Sequence, residues 1–129
     1  LQKEHVTMIG YVTLGTNDLS AARAFYDALF ADMGARRIEP NERLSLWSVG
    51  RDRPMLGVIT PFDNSPATPG NGAMVALNVG SKEEVDALHA KALSLGAADE
   101  GAPGNRTDTF YGGYFRDMDG NKLVVFTAV

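Results

Sequence analysis

The stretch Met8–Asp32, MIGYVTLGTNDLSAARAFYDALFAD, reads as a short apolar strand, a sharp corner and an amphipathic helix. Met8–Gly15 carries apolar or β-branched side chains at nearly every position, the pattern of a strand covered on both faces. Thr16, Asn17 and Asp18 place oxygens where the unpaired amides of a first helical turn need acceptors. Leu19, Ala22, Tyr26, Leu29 and Met33 then recur at helical spacing, one buried stripe flanked by Phe25 and Phe30. Gly34 ends the helix.

A fainter copy runs from Gly72 to Gly96, GAMVALNVGSKEEVDALHAKALSLG, and sets Met74 against Tyr11 and Leu77 against Leu14. Ser81 and Glu84 form a capping box, and Val85, Leu88, Ala92 and Leu95 are the buried stripe of this second helix. After the first helix, Arg36–Glu39, Leu44–Val49 and Met55–Thr60 read as three short strands. After the second, Ala97–Gly104 is weak and loop-like, Thr107–Arg116 is strand-like, and Lys122–Val129 is a final apolar strand. Asp117–Asn121 is a hairpin turn with Gly120 where positive φ is needed.

The expected class is α+β: two βαβββ modules forming a cupped, barrel-like mixed sheet with helices outside. The expected boundaries are a polar tail at 1–7, in part an addition ahead of a start at Met8, modules at 8–60 and 72–129, and a linker at 61–71. That linker holds Pro61, Pro66 and Pro69, half of the chain's six prolines. A bare apolar sheet face must be buried against a neighbour or hold a ligand, so the repeat implies a cavity.

Composition narrows the chemistry. The chain has no cysteine, hence no thiolate nucleophile and no sulfur-ligated metal site. A net charge of −4 argues against nucleic acid or anionic membrane as partner. No run is long enough to span a membrane and no signal-peptide core is visible, so a cytoplasmic location is expected. His5 and His89 are the two histidines, one in the tail and one beside the buried stripe of the second helix, where a surface or half-buried position is expected. Neither supplies a general base to a cavity.

Val12-Thr13-Leu14, Asn17-Asp18-Leu19 and Ala24-Phe25-Tyr26, with the terminal run Phe115–Leu123 (FRDMDGNKL), resemble the vicinal oxygen chelate superfamily. That group includes glyoxalase I, bleomycin-resistance proteins, fosfomycin-resistance transferases and extradiol dioxygenases. The resemblance spans Met8 to Val129. It implies paired βαβββ modules, a homodimer for a chain this short and, in metal-dependent members, one divalent ion held by His and Glu. The positions where the resemblance places those ligands carry Tyr11, Met74, Val124 and either Gly57 or Ile59. Methionine, valine and glycine side chains cannot replace imidazole or carboxylate, so neither a metal nor any other cofactor is expected.

By alternation, Ile9, Thr13, Ala76, Asn78, Lys122 and Phe126 join the face of Tyr11, Met74 and Val124. Trp47, Tyr111, Tyr114 and Arg116 are the other residues with reach. Arg116 and Arg106 are suited to a carboxylate or phosphate, although Arg116 has a plainer role, pairing with Asp117 or Asp119 to brace the turn. The candidate cavity set is therefore Tyr11, Thr13, Trp47, Met74, Asn78, Tyr111, Tyr114, Arg116 and Val124. The reading favoured is a metal-free small-molecule binder like the bleomycin-resistance proteins. Alternatives are a glyoxalase-like lyase or thiol transferase with an atypical site, Tyr11 serving as acid or base, and a non-catalytic interaction module.

Overall fold

A computed structural model describes residues 6–129. The chain divides into two compact units between Ala67 and Thr68. In the first, β1 (Tyr11–Gly15) leads into α1 (Leu19–Phe30), followed by β2 (Arg36–Asn41), β3 (Leu44–Ser48) and β4 (Met55–Ile59). The second repeats the plan with β5 (Val75–Asn78), α2 (Lys82–Ser94), β6 (Ala98–Thr107), β7 (Phe110–Arg116) and β8 (Lys122–Ala128). Each unit holds an open four-stranded sheet, ordered β1-β4-β3-β2 in one and β5-β8-β7-β6 in the other. In each, the first and last strands of the module pair in parallel and the remaining pairs are antiparallel. The parallel pair requires a long crossover, which the helix and the two intervening strands supply.

The corner after β1 forms for the reasons its residues suggest. Asp18 Oδ1 accepts from the Ala21 amide at 3.0 Å, and Thr16 Oγ1 accepts from the Asp18 amide at 3.1 Å. Asn17 does something else: its amide donates to the Ala67 carbonyl at 3.1 Å and its oxygen accepts from the Ala67 amide at 2.7 Å, fixing the far end of the unit to the corner. Gly34 follows α1 and a 3-10 turn with φ +71°. The helix buries Ala22, Phe25, Tyr26, Leu29 and Phe30, a broader face than one stripe. Leu19 and Met33 remain half-buried at its margins.

In the second unit Ser81 Oγ accepts from the Glu84 amide at 3.2 Å. Glu84 reaches back to the Gly80 amide at 3.1 Å, one residue beyond the cap itself. Val85, Leu88, His89 and Ala92 are the buried face of α2, packed over Phe115, Leu123 and Val125.

Several strand boundaries move. Met8–Gly10 precede β1 rather than belong to it, with Met8 at φ +67°. The weak stretch after α2 is a full ten-residue strand, β6, whose register breaks near Gly101 and again before Thr107. Small residues carry little strand signal of their own, so pairing with β7 decides it. Thr107 ends β6 rather than beginning β7; Asp108-Thr109 is the turn between them, and it lacks the glycine that usually marks one. Asp117–Asn121 is the expected turn, with Asp117 Oδ1 accepting from the amides of Asp119 and Asn121 and Gly120 at φ +86°.

Candidate functional site

Each sheet has a helix-covered face and an open face, and register assigns every strand residue to one of them. In the first sheet Trp47 lies opposite Leu56 and Ser45 opposite Val58. Ser45 accepts from Arg23 of α1 at 2.7 Å, so this face is the one beneath the helix. Trp47 is 3% exposed, its ring 5.6 Å from that of Tyr26, and its indole N–H donates to Asp27 of α1 at 3.0 Å. It is therefore a core residue and not part of a cavity. The open face holds Tyr11, Thr13, Met55, Gly57 and Ile59, with Leu44 and Leu46 beside them. Tyr11 is 54% exposed. Gly57 lies against Thr13, and a Cβ there would meet Leu46 Cδ2 at 2.7 Å.

In the second sheet a Cβ at Gly113 would meet the His89 ring, which marks Tyr111, Gly113 and Phe115 as the face under α2. Tyr111 donates its hydroxyl to Asp86 of that helix at 2.6 Å, with the Lys82 ammonium 5.3 Å from its ring centre. The hydrogen bond to Asp86 raises the phenol above the usual tyrosine range, helped by partial desolvation and by the charges of Asp86 and Glu83. Tyr111 thus leaves the cavity set. Period-two alternation separates it from Tyr114, which the sequence had grouped with it.

The open face of this sheet carries Gly112, Tyr114 and Arg116 from β7 against Phe126, Val124 and Lys122 from β8. Ala76 and Asn78 of β5 continue it, both exposed. Val124 is wholly buried, packed close to the space above Gly112. Phe110 stacks on Phe126 at 4.9 Å. Tyr114 has two cations near its ring, Lys122 Nζ and the Arg106 guanidinium, each 5.3 Å from the centre. Arg116 donates to Glu100 at 3.0 Å and to the Gly120 carbonyl at 2.9 Å. It does brace the turn, but through a backbone carbonyl rather than through Asp117 or Asp119.

A groove of about 550 Å³ opens at one end of this sheet. The loop Pro69–Ala73, Met74, Arg116 and Lys122 line it. Of the candidate set it gathers Met74 and Arg116. Sequence reasoning placed Lys122 on this face but passed over it as a site residue, and missed the loop. Asn71-Gly72, where Gly72 has φ +91°, was the available signal that the linker turns sharply before β5.

His89 is buried at 4% exposure, deeper than expected. Its Nε2 lies 3.0 Å from the Tyr114 carbonyl and 3.3 Å from Asp99 Oδ1. It ties α2 to the sheet and is committed there; His5 lies outside the described residues.

The family's metal can be tested against the residues present. Tyr11 and either Gly57 or Ile59 on the open face of the first sheet, and Met74 and Val124 on that of the second, offer a single side-chain oxygen and one thioether sulfur. Among the described residues no buried side-chain polar atom lacks a hydrogen-bond partner, so none is held in readiness for an ion. This donor set does not fit a divalent metal.

Comparisons with known proteins place these observations. The family model for the Glyoxalase/Bleomycin resistance protein/Dioxygenase superfamily matches residues 8–125. A glyoxalase/bleomycin resistance protein from Albidiferax ferrireducens T118 is similar at 34% identity and TM-score 0.85, covering 94% of this chain and 98% of its own. Lactoylglutathione lyase from Agrobacterium tumefaciens is similar at 25% identity and TM-score 0.70, covering 95% and 94%. A Burkholderia phytofirmans PsJN enzyme of the same family, at 22% identity and TM-score 0.76 over 93% and 98% of the two chains, shares the fold. A comparison with curated proteins found no match. No helix among the described residues is long and apolar enough to cross a membrane. The chain belongs to the Glyoxalase/Bleomycin resistance protein/Dioxygenase superfamily.

Proposed function

We propose that this chain binds a small organic molecule on the open face of its sheets without a divalent metal, as a sequestering protein rather than a metalloenzyme. The observation that carries this reading is the groove of about 550 Å³ beside Met74, Arg116 and Lys122. Its size falls within the usual range for small-molecule sites. The ligand positions implied by the family resemblance, meanwhile, hold Tyr11, Met74, Val124 and either Gly57 or Ile59. Binding requires shape, an apolar wall and a few polar handles. Metal-assisted catalysis requires lone-pair donors that this set lacks. Of the candidate residues read from sequence, the proposal drops Val124, which is wholly buried, and retains Tyr11 and Thr13 on the open face of the first sheet and, separately, Met74, Asn78, Tyr114 and Arg116 on that of the second. It also takes the protein to be a homodimer, which sedimentation analysis checks directly.

The test pairs two measurements on extensively dialysed protein. Calorimetric titration with zinc, nickel and manganese is expected to show no tight site. A thermal-shift screen of small organic molecules is expected to return stabilising ligands, by about 2.7 kcal/mol at a hundredfold excess over Kd. One divalent ion bound tightly per chain would overturn the metal-free reading. A screen without a single stabilising compound would overturn the binding function.

A further inference from the structure

The groove in the second unit has a charge imbalance. Among the described residues, its lining contains two cations, Arg116 and Lys122, and no carboxylate. The two are not equivalent. Arg116 is engaged by Glu100 at 3.0 Å and by the Gly120 carbonyl at 2.9 Å, so most of its charge is answered locally. Lys122 is half-buried, its ammonium 5.3 Å from the Tyr114 ring centre, with no carboxylate partner among the described residues. A ring face holds an ammonium in place without neutralising it. The groove therefore presents one fixed, uncompensated positive charge, in a chain whose net charge is −4. Beside it, Pro69, Ala73 and Met74 form an apolar wall, Met74 being 45% exposed. Gly70 and Gly72, which carry no side chain, complete the loop side of the lining.

We infer that the ligand of this groove is a small organic monoanion, a carboxylic acid whose head sits at Lys122 and whose apolar body lies along Met74, Ala73 and Pro69. This deepens the small-molecule reading above and rests on it. One uncompensated cation matches a carboxylate. A phosphate dianion would bring two charges to a site that balances one, within a protein already negative overall. The uncommitted Nη2 of Arg116 can supply a second donor to the same head without breaking the turn it braces.

The experiment uses the full chain, isotopically labelled, in amide chemical-shift titrations with benzoate, 4-phenylbutyrate and octanoate. Their neutral methyl esters and inorganic phosphate serve as controls. At least one of the acids should shift the amides of Gly70–Met74 and Lys122, with its ester at least about tenfold weaker. Lys122→Met should weaken that acid by at least about tenfold, whereas Lys122→Arg, which keeps the charge, should stay within about threefold. Raising the salt concentration should weaken the acid but not the ester. If acids and esters bound alike, or Lys122→Met left the acid unaffected, the anion inference would fall while the small-molecule reading stood. If phosphate bound as tightly as the acids, the site would be a simple oxyanion site and the organic class would be wrong. If no probe moved these amides, the inference and the groove's place in the binding function would both fall.

Discussion

Replacing Trp47 by phenylalanine separates a core residue from a binding residue, because sequence alone admits both. The indole is 3% exposed and donates to Asp27 at 3.0 Å. Phenylalanine removes that donor and about three ring atoms. Asp27 keeps Arg37 at 2.8 Å, and at 45% side-chain exposure it can also turn to water. The lost hydrogen bond should then cost about 1 kcal/mol rather than the larger cost of a stranded charge. Shrinking the ring between Tyr26 and Phe30 should cost about 1–2 kcal/mol more in transfer and cavity terms. The expected total is about 2–3 kcal/mol. With a urea slope of about 1.5–2 kcal/mol per molar for a small protein, the midpoint should fall by about 1–2 M. Trp47 is the sole tryptophan, so the variant must be followed by far-ultraviolet circular dichroism rather than fluorescence. Combining Trp47→Phe with Asp27→Asn should show a coupling energy of about 1 kcal/mol. Ligand affinity, measured under folding conditions, should not change. A stability loss below about 0.5 kcal/mol together with lost binding would refute the placement of Trp47 beneath the helix.

Three further outcomes follow from contacts in the second unit. Tyr111 should ionise above the 10.0 of an ordinary tyrosine, and Asp86→Asn should lower it, both read by tyrosinate absorbance. Because its folded value is raised, its contribution to stability is complete below 10.0 and is lost as pH rises through the higher folded value. No dependence of that ionisation on Asp86 would remove the assigned cause. Ser81→Ala should cost about 1 kcal/mol and speed amide exchange across Lys82–Val85, since the side chain accepts from Glu84 at 3.2 Å. His89→Ala should cost about 2–4 kcal/mol in urea unfolding, by opening space beneath Phe115 and releasing the Tyr114 carbonyl. A loss below about 1 kcal/mol would show that His89 does not tie α2 to the sheet.

Much of the fold was legible because it is encoded locally. Asp18 and Ser81 cap their helices wherever those helices end up, since the acceptor and the amides it serves lie within one turn. The three-four spacing of Ala22, Tyr26 and Leu29 requires a buried face before any sheet is known. The repeat of Met8–Asp32 at Gly72–Gly96 implied two modules for the same reason. β6 was not legible. Its alanines and glycines have no strand preference, and only pairing with β7 makes Ala98–Thr107 extended.

The site divides along the same line. The sequence by itself determined the family and the poverty of donors at Tyr11, Met74 and Val124, because residue identity at a motif position is local information. Which face each side chain occupies was decided by the tertiary structure. A strand offers both faces equally, and only the helix packed across one of them distinguishes Trp47 and Tyr111, beneath α1 and α2, from Tyr114 and Lys122 on the open side. The isolation of the Lys122 charge is likewise tertiary. It exists because Glu100, from a different strand, answers Arg116 and, among the described residues, leaves the neighbouring ammonium with an aromatic ring and no carboxylate.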